Sequence, residues 1–269
     1  MSVQINHMAI ISPRYPNLGK FYEALFGLKP ASRNRPAAAI TIGDGYTGLN
    51  IIPRRDGYIE GIDHFGMLVD EVAPVKERMQ KKFPKANVVQ RPSARPFAAF
   101  SGHDPDGNVF DLAQRNGDTR KEIYADIASA GWAQDRYLNR FAIRTPNAEA
   151  CAEFYSDVFG LKPASSRDGD GWHLSDGRVT LSILPWSPGL FAGMSVKRPG
   201  PDHIGFRVEN LAAFKSHVAE VAGMNPFLAP VPMGGSGESE TRRELFAGSA
   251  GGQWQMADPD GNWIDVSEE

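Results

Sequence analysis

Polar and apolar residues near the start of the chain alternate with the period of a strand, so that Ile5, His7 and Ala9 share one face. The period then changes. Leu18, Phe21, Tyr22 and Leu25 recur at helical spacing and predict a helix over 17–26. Gly27 stands where a helix stop is expected, and Pro30 follows shortly after. Further extended runs, among them 38–42 and 48–53, complete a unit of the form βαβββ.

This unit recurs. Residues 21–32 read FYEALFGLKPAS and residues 154–165 read FYSDVFGLKPAS, a shift of 133. HDPDGNVFDL at 103–112 returns as ADPDGNWIDV at 257–266, and IDHFGM at 62–67 as PDHIGF at 201–206. The repeat is nested, because Ile5-Asn6-His7-Met8-Ala9 matches Ile62-Asp63-His64-Phe65-Gly66. Four modules follow, at about 3–56, 60–115, 136–187 and 199–268. The fold predicted is α+β: tandem βαβββ modules, each pair forming a half-open mixed β-barrel with flanking helices. The organisation expected is an N-terminal paired domain over 1–115, a linker over 116–135 and a C-terminal paired domain over 136–269. The linker is polar at first and helical in its middle. About 15 extra residues in the fourth module, around 233–248, read as either a lid or a surface loop. The two DPDGN segments read as tight turns, with Pro presetting φ and Gly taking the left-handed position. Asp104, Asp106, Asp258 and Asp260 are assigned to those turns and to no chemistry.

A length of 269 residues suits two domains that each bury a core, and 41% hydrophobic with 23% charged residues is ordinary globular composition. The net charge of −3 leaves no basic footprint for nucleic acid. No apolar run reaches membrane-spanning length, and no signal peptide is visible. The expected compartment is the cytoplasm, which the single cysteine fits. Cys151, which aligns with Leu18, is read as a buried helix residue. Exposed barrel edges favour a homodimer, and the expected partner in binding is a small molecule rather than nucleic acid or membrane.

The repeat also selects candidate chemistry. Its equivalent opening-strand positions are His7, His64, Arg140 and His203, and its closing-strand positions are Asn50, Asp111, Ser182 and Asp265. In a symmetric pair of modules these positions converge, so His7, His64 and Asp111 are expected to face one point. Two imidazoles and a carboxylate with open positions suit non-haem Fe(II), and also Mn, Zn or Ni. The second half has Arg140 at the first of these positions, a fixed cation that cannot ligate. One metal per chain, in the first half, is therefore expected. Asn50, Arg95 and Phe97 are the candidate substrate-binding residues, with Arg91 beside them. Tyr46 and Tyr58 are candidate proton donors, whereas His103, His173, His203 and His217 are read as structural.

These modules resemble the vicinal oxygen chelate superfamily, which includes glyoxalase I, extradiol ring-cleaving dioxygenases, epimerases and the fosfomycin and bleomycin resistance proteins. The resemblance rests on the FYxxxFGL helix end and the DPDGNxxD closing strand, and covers nearly the whole chain outside the linker. It implies metal ligands at His7, His64 and Asp111, with Asp111 where the family usually has Glu. The tandem length resembles the extradiol dioxygenases and implies an Fe(II)-dependent oxygenase of aromatic or enediol compounds. A redox-neutral isomerase or lyase and a metal-free binding or resistance protein are the alternatives. Two departures bear on the reaction. Asn50 replaces the carboxylate that commonly serves as base in the glyoxalase branch, and an amide is a poor base. Ser101 stands where the dioxygenases carry a tyrosine, and the family's active dioxygenases usually keep their metal in the C-terminal half.

Overall fold

The computed structural model describes residues 2–30, 39–92, 97–117, 135–164, 171–191 and 199–268. The first module runs β1 (Val3–Ser12), α1 (Tyr15–Phe26), β2 (Lys29–Pro30), β3 (Ile40–Gly43) and β4 (Gly48–Pro53). The second runs β5 (Gly61–Val69), α2 (Val72–Lys82), β6 (Val88–Gln90), β7 (Phe100–His103) and β8 (Val109–Gln114). Together they form one sheet ordered β2-β3-β4-β1-β5-β8-β7-β6. The two opening strands, β1 and β5, meet antiparallel at its centre, and each pairs in parallel with its own closing strand. Helix α1 has Pro16 in its first turn and ends on Gly27, whose φ of 66° is the left-handed stop the sequence predicts.

The third module repeats the plan with β9 (Tyr137–Thr145), α3 (Ala148–Phe154, continued by a π turn over Tyr155–Phe159), β10 (Lys162–Pro163), β11 (Trp172–Ser175) and β12 (Thr180–Pro185). A short helix α4 (Pro188–Phe191) follows. The fourth departs from βαβββ. After β13 (Gly200–Val208) and α5 (Leu211–Met224) comes a second helix, α6 (Gly237–Ser249), before β14 (Trp254–Ala257) and β15 (Trp263–Glu268). The expected third strand is reduced to a single bridge between Val231 and Ala257. The second sheet therefore has seven strands, ordered β10-β11-β12-β9-β13-β15-β14. Both sheets stay open, as half-barrels with helices against one face. No helix among the described residues is long and apolar enough to cross a membrane. The expected linker lies almost wholly outside the described residues.

Each half lends its first helix to the other. Phe26 of α1 stacks on Phe206 of β13 with centroids 3.7 Å apart and meets Phe214 of α5 at 5.1 Å. In the reciprocal contact, Phe154 and Tyr155 of α3 pack on Phe110 and Phe65 of the first sheet. The DPDGN turns are part of this interlock, which the turn assignment alone had not included. Asp258 Oδ2 accepts a hydrogen bond from Tyr22 at 2.8 Å, and Asp104 Oδ2 accepts one from Tyr155 at 3.2 Å. Both carboxylates are buried, and both also accept from their own turn's backbone and from Asn262 or Asn108. Asp260 takes Ser12 and Arg14, while Asp106 takes Thr145 and Asn147. Burial, with four accepted bonds only partly offsetting it, raises the Asp258 pKa to about 6.

Removing the phenol O–H by Tyr22→Phe leaves a buried carboxylate one bond short. We expect a loss of about 1–3 kcal/mol of stability, read from the denaturant midpoint. Tyr155→Phe, across a longer bond, should lose less.

Candidate metal centre

The geometry of the site begins with four strand irregularities. Ile5 pairs with Met67 and His7 with Gly66, so Asn6 is an extra residue in β1. Ala9 pairs with His64 and Ile10 with Ile62, so Asp63 is an extra residue in β5. Asn139 and Asp202 are the corresponding extras in the second sheet. A bulge of this kind breaks the in–out alternation, so that two consecutive side chains can serve one site. The effect is direct here: Asn6 Oδ1 lies 2.7 Å from His7 Nδ1, and Asp63 Oδ2 lies 2.5 Å from His64 Nδ1.

Sheet register then collects the residues. Gly66 pairs with both His7 and Asp111, and Ala9 pairs with both His64 and Asn50. Directly paired residues share a face, which puts His7, His64, Asp111 and Asn50 on the concave face of the first half. His64 Nε2 is 3.2 Å and His7 Nε2 is 3.6 Å from Asp111 Oδ2. One ligand atom from each of the three lies within 4.8 Å of the others, and all three residues are buried. The His7 and His64 rings stand edge to face at 5.6 Å. Gly66 makes room for this: a Cβ there would sit 1.9 Å from the His7 ring.

Of the candidate substrate-binding residues, Asn50 is 5% exposed, and its Oδ1 has no hydrogen-bond partner among the described residues. Phe97 packs edge-on against the His7 ring at 5.3 Å. Arg95 lies outside the described residues. Ser101 pairs with Asp111 and so borders the same site. Arg91, which the sequence places beside these residues, bonds Asp111 Oδ1 through its Nη2, leaving Oδ2 to the imidazoles. Tyr46 and Tyr58 do not join the cluster. Burial and the neighbouring Asp176 push the Tyr46 phenol well above its ordinary value, and Tyr58 is half exposed.

Sequence reasoning missed Asn6 and Asp63, and it did not pair Arg91 with Asp111. The signal for the first two was in the repeat, where a short polar residue precedes each histidine. The remaining histidines are structural in their contacts. His103 meets its neighbour's carbonyl, His173 meets Ser182, and His217 meets the Ala24 carbonyl of α1.

His64 and Asp111 dominate the electrostatics. Burial works against a charged His64, but its bonds to Asp111 and Asp63 outweigh that and raise its pKa to about 9. Burial likewise opposes a charged Asp111, yet bonds from His64 and His7 hold it well below the usual carboxylate range. Without metal the cluster is thus an ion pair at neutral pH.

Among the described residues the second half holds no such cluster. Arg140 replaces the first imidazole, and its Nε stands 3.8 Å from Asp265. Asp265 is instead taken by the backbone N–H groups of Gly251 and Gly252, at 2.9 to 3.0 Å. His203 is fully buried against Phe246 of α6, ring to ring at 4.9 Å, and Phe246 stacks on Trp263 at 4.7 Å. The insertion is therefore mostly a helix, whose Phe246 covers His203. It is neither a surface loop nor a cover for the first-half site. Its start is capped by Ser236, which accepts from the Ser239 N–H, with Glu238 and Glu240 in the first turn.

The chain belongs to the glyoxalase/bleomycin resistance protein/dioxygenase superfamily, whose family model matches residues 4–112 and 137–266. Solved structures agree in fold. The Mn(II)-bound glyoxalase from Novosphingobium aromaticivorans is 16% identical at a TM-score of 0.62, covering 99% of this chain and 82% of its own. Homoprotocatechuate 2,3-dioxygenase from Arthrobacter globiformis is 14% identical at 0.62, covering 100% and 80%. A mutant of 4-hydroxymandelate synthase from Streptomyces coelicolor is 13% identical at 0.64, covering 99% and 92%. At such identities the likeness is one of fold. No curated protein matches the chain.

The charge state of the cluster gives a pH prediction. The folded pKa of His64 lies above its ordinary 6.5, so its contribution to stability is full below 6.5 and is lost as pH rises through about 9. Asp111 acts in the opposite sense, contributing above its ordinary 3.8 and losing that contribution as pH falls through its lower folded value. In metal-free protein, the stability difference between wild type and His64→Gln should shrink between pH 6.5 and 9, with the His64 ring titrating in NMR near the upper end. A ring that titrates near 6.5 would contradict this.

Proposed function

We propose that the first half is a metalloenzyme site that binds a small organic substrate through two adjacent oxygens. Fe(II) is the favoured metal, and an extradiol-type dioxygenase of aromatic or enediol compounds is the favoured reaction. The observation that carries this reading is the convergence of His7 Nε2, His64 Nε2 and Asp111 Oδ2 on one buried point. The donor set fits a divalent metal. Each histidine has its Nδ1 turned to a bulge residue, so Nε2 is the atom that faces its partners. Three protein ligands also leave coordination positions for substrate.

When bound, a divalent metal there supplies Lewis acidity and a template for substrate oxygens. The chain's own groups prepare the place. Asn6 Oδ1 accepts from His7 Nδ1–H and Asp63 from His64 Nδ1–H, which fixes the tautomer that presents a lone pair at Nε2. His64 gives up its Nε2 proton on ligation, so metal uptake at neutral pH releases a proton. Arg91 anchors one oxygen of Asp111 and leaves the other to ligate. The unpartnered Asn50 Oδ1 can accept from a substrate hydroxyl, and Phe97 supplies an apolar wall. Asn50 cannot remove a proton, so a base on that strand is not part of the reading.

A second reading, a redox-neutral isomerase or lyase using Mn, Zn or Ni, is favoured by one observation. Ser101, rather than a phenol, is the residue paired with Asp111.

Anaerobic purification followed by metal analysis separates these readings. Under the first, O2 uptake with catechol-like compounds requires Fe(II) and is abolished in His64→Ala. Uptake that survives this change sinks the oxygenase reading, and turnover under strict anaerobiosis supports the second.

Metal content should also divide the halves. His7→Ala should lower metal affinity by roughly tenfold or more, while His203→Ala stays near wild type. Equal behaviour of the two variants would show that the first-half assignment is wrong.

A further inference from the structure

The second half keeps a concave cavity of its own, about 780 Å³, beside the buried Arg140. Its lining has a different chemistry from that of the first half. Arg140, Lys162, Arg178 and Arg207 border it, against Asp176 and Glu268. Both acids are engaged elsewhere. Asp176 accepts the backbone N–H groups of Ile5, Arg178 and Val179, and Glu268 accepts from Asn210. Arg178 is also occupied, stacked over the Tyr137 and Tyr46 rings at 4.4 and 5.2 Å.

The other cations lack close counter-ions. The Arg140 side chain is 10% exposed, and its nearest carboxylate is Asp265 at 3.8 Å, beyond hydrogen-bond distance. Asp265 is already satisfied by Gly251, Gly252 and Gln255. Arg140 Nη1 and Arg207 Nε are buried with no hydrogen-bond partner among the described residues. Arg207 makes no ion pair among those residues, and Lys162 is exposed with none. A guanidinium withheld from both water and a carboxylate is costly. An incoming oxyanion relieves that cost, because the planar fork of arginine matches carboxylate and phosphate oxygens. Ser267, Thr180 and Gln253 also line the cavity and add neutral polar groups.

We propose that the concave cavity of the second half is an oxyanion-binding site, in which Arg140 and Arg207 hold the carboxylate or phosphate group of a small molecule. The equivalent places in the two halves then bind opposite charges. Where His7 and Asp111 gather a cation in the first half, Arg140 gathers an anion in the second, and Asp265 is tied back by glycine N–H groups. The site does not depend on the reaction proposed for the first half.

The test is thermal unfolding and calorimetric titration of the full chain with inorganic phosphate, and separately with acetate, against chloride at matched ionic strength. A ligand that binds only the folded state raises Tm in a saturable way. Phosphate, acetate or both should do so beyond chloride; which one does tells the tetrahedral group from the planar one. Arg207→Gln, at a half-buried side chain with no partner to strand, should weaken binding by roughly tenfold or more, and Arg140→Gln should act in the same direction. The shift should persist in His7→Ala, which separates this site from the first-half centre, and in Arg115→Gln, at an exposed arginine paired with Asp70. The proposal is overturned if neither anion raises Tm beyond chloride, or if the shift is undiminished in Arg207→Gln.

Discussion

The site depends on one constraint in the backbone, the extra residue at Asn6 and at Asp63. In a regular strand the residue before a ligand points to the opposite face and cannot touch it. The bulges bring Asn6 and Asp63 round to the Nδ1 atoms of His7 and His64. Each imidazole is thereby held in rotation and in tautomer by its own neighbour in sequence. Gly66 completes the arrangement, since any side chain there would occupy the volume of the His7 ring. The same irregularity recurs in the second sheet, where Asp202 meets His203 Nδ1 at 2.7 Å although no triad forms. The bulge is thus a property of the scaffold, and the triad is what the first half places on it.

A second constraint holds the halves in register. The turn that leads into each closing strand carries a buried aspartate whose partner is a tyrosine from the other half. Asp111 follows one such turn and Asp265 the other. The buried hydrophobic cluster runs through both halves without a break, from Ile5 to Val266. An edge of aromatic packing on one side of each sheet therefore backs the concave face on the other. Stability and site geometry are coupled through the turns, because a shift of the DPDGN segment would move the carboxylate five to seven residues further on.

Much of this was legible in the sequence, for identifiable reasons. The repeat makes equivalent positions comparable, and equivalent positions on symmetric strands converge. His7, His64 and Asp111 were found in that way, as were the module plan and the stop at Gly27. What was not legible depended on register or on long-range contact. Ile5 to Ala9 reads as a regular alternation, and only its pairing with β5 reveals Asn6 as an extra residue. Tyr22 and Asp258 are 236 residues apart, so the turn signal gave no hint of their bond. Arg91 reaches Asp111 because β6, β7 and β8 are neighbours. The fourth module misled for a local reason. Its Gly- and Ser-rich start reads as loop, yet Ser236 caps a helix whose Phe246 finds an apolar partner in Trp263.

The contrast between the halves follows from a small chemical difference. An imidazole can offer a lone pair and a guanidinium cannot, so Arg140 alone removes the possibility of a first-half type of centre, whatever His203 and Asp265 retain. The partners of the closing-strand carboxylate differ accordingly. Asp265, which lacks the imidazole bonds that Asp111 receives, takes two backbone N–H groups from Gly251 and Gly252. Those glycines are dictated by space: a Cβ on Gly251 would lie 1.8 Å from Arg140 Nη2, and one on Gly252 would lie 2.6 Å from Asp265. The segment after α6 thus closes over the arginine as well as the carboxylate. The segment that follows the insertion's helix packs against Arg140 and Asp265, which stand where the first half carries His7 and Asp111.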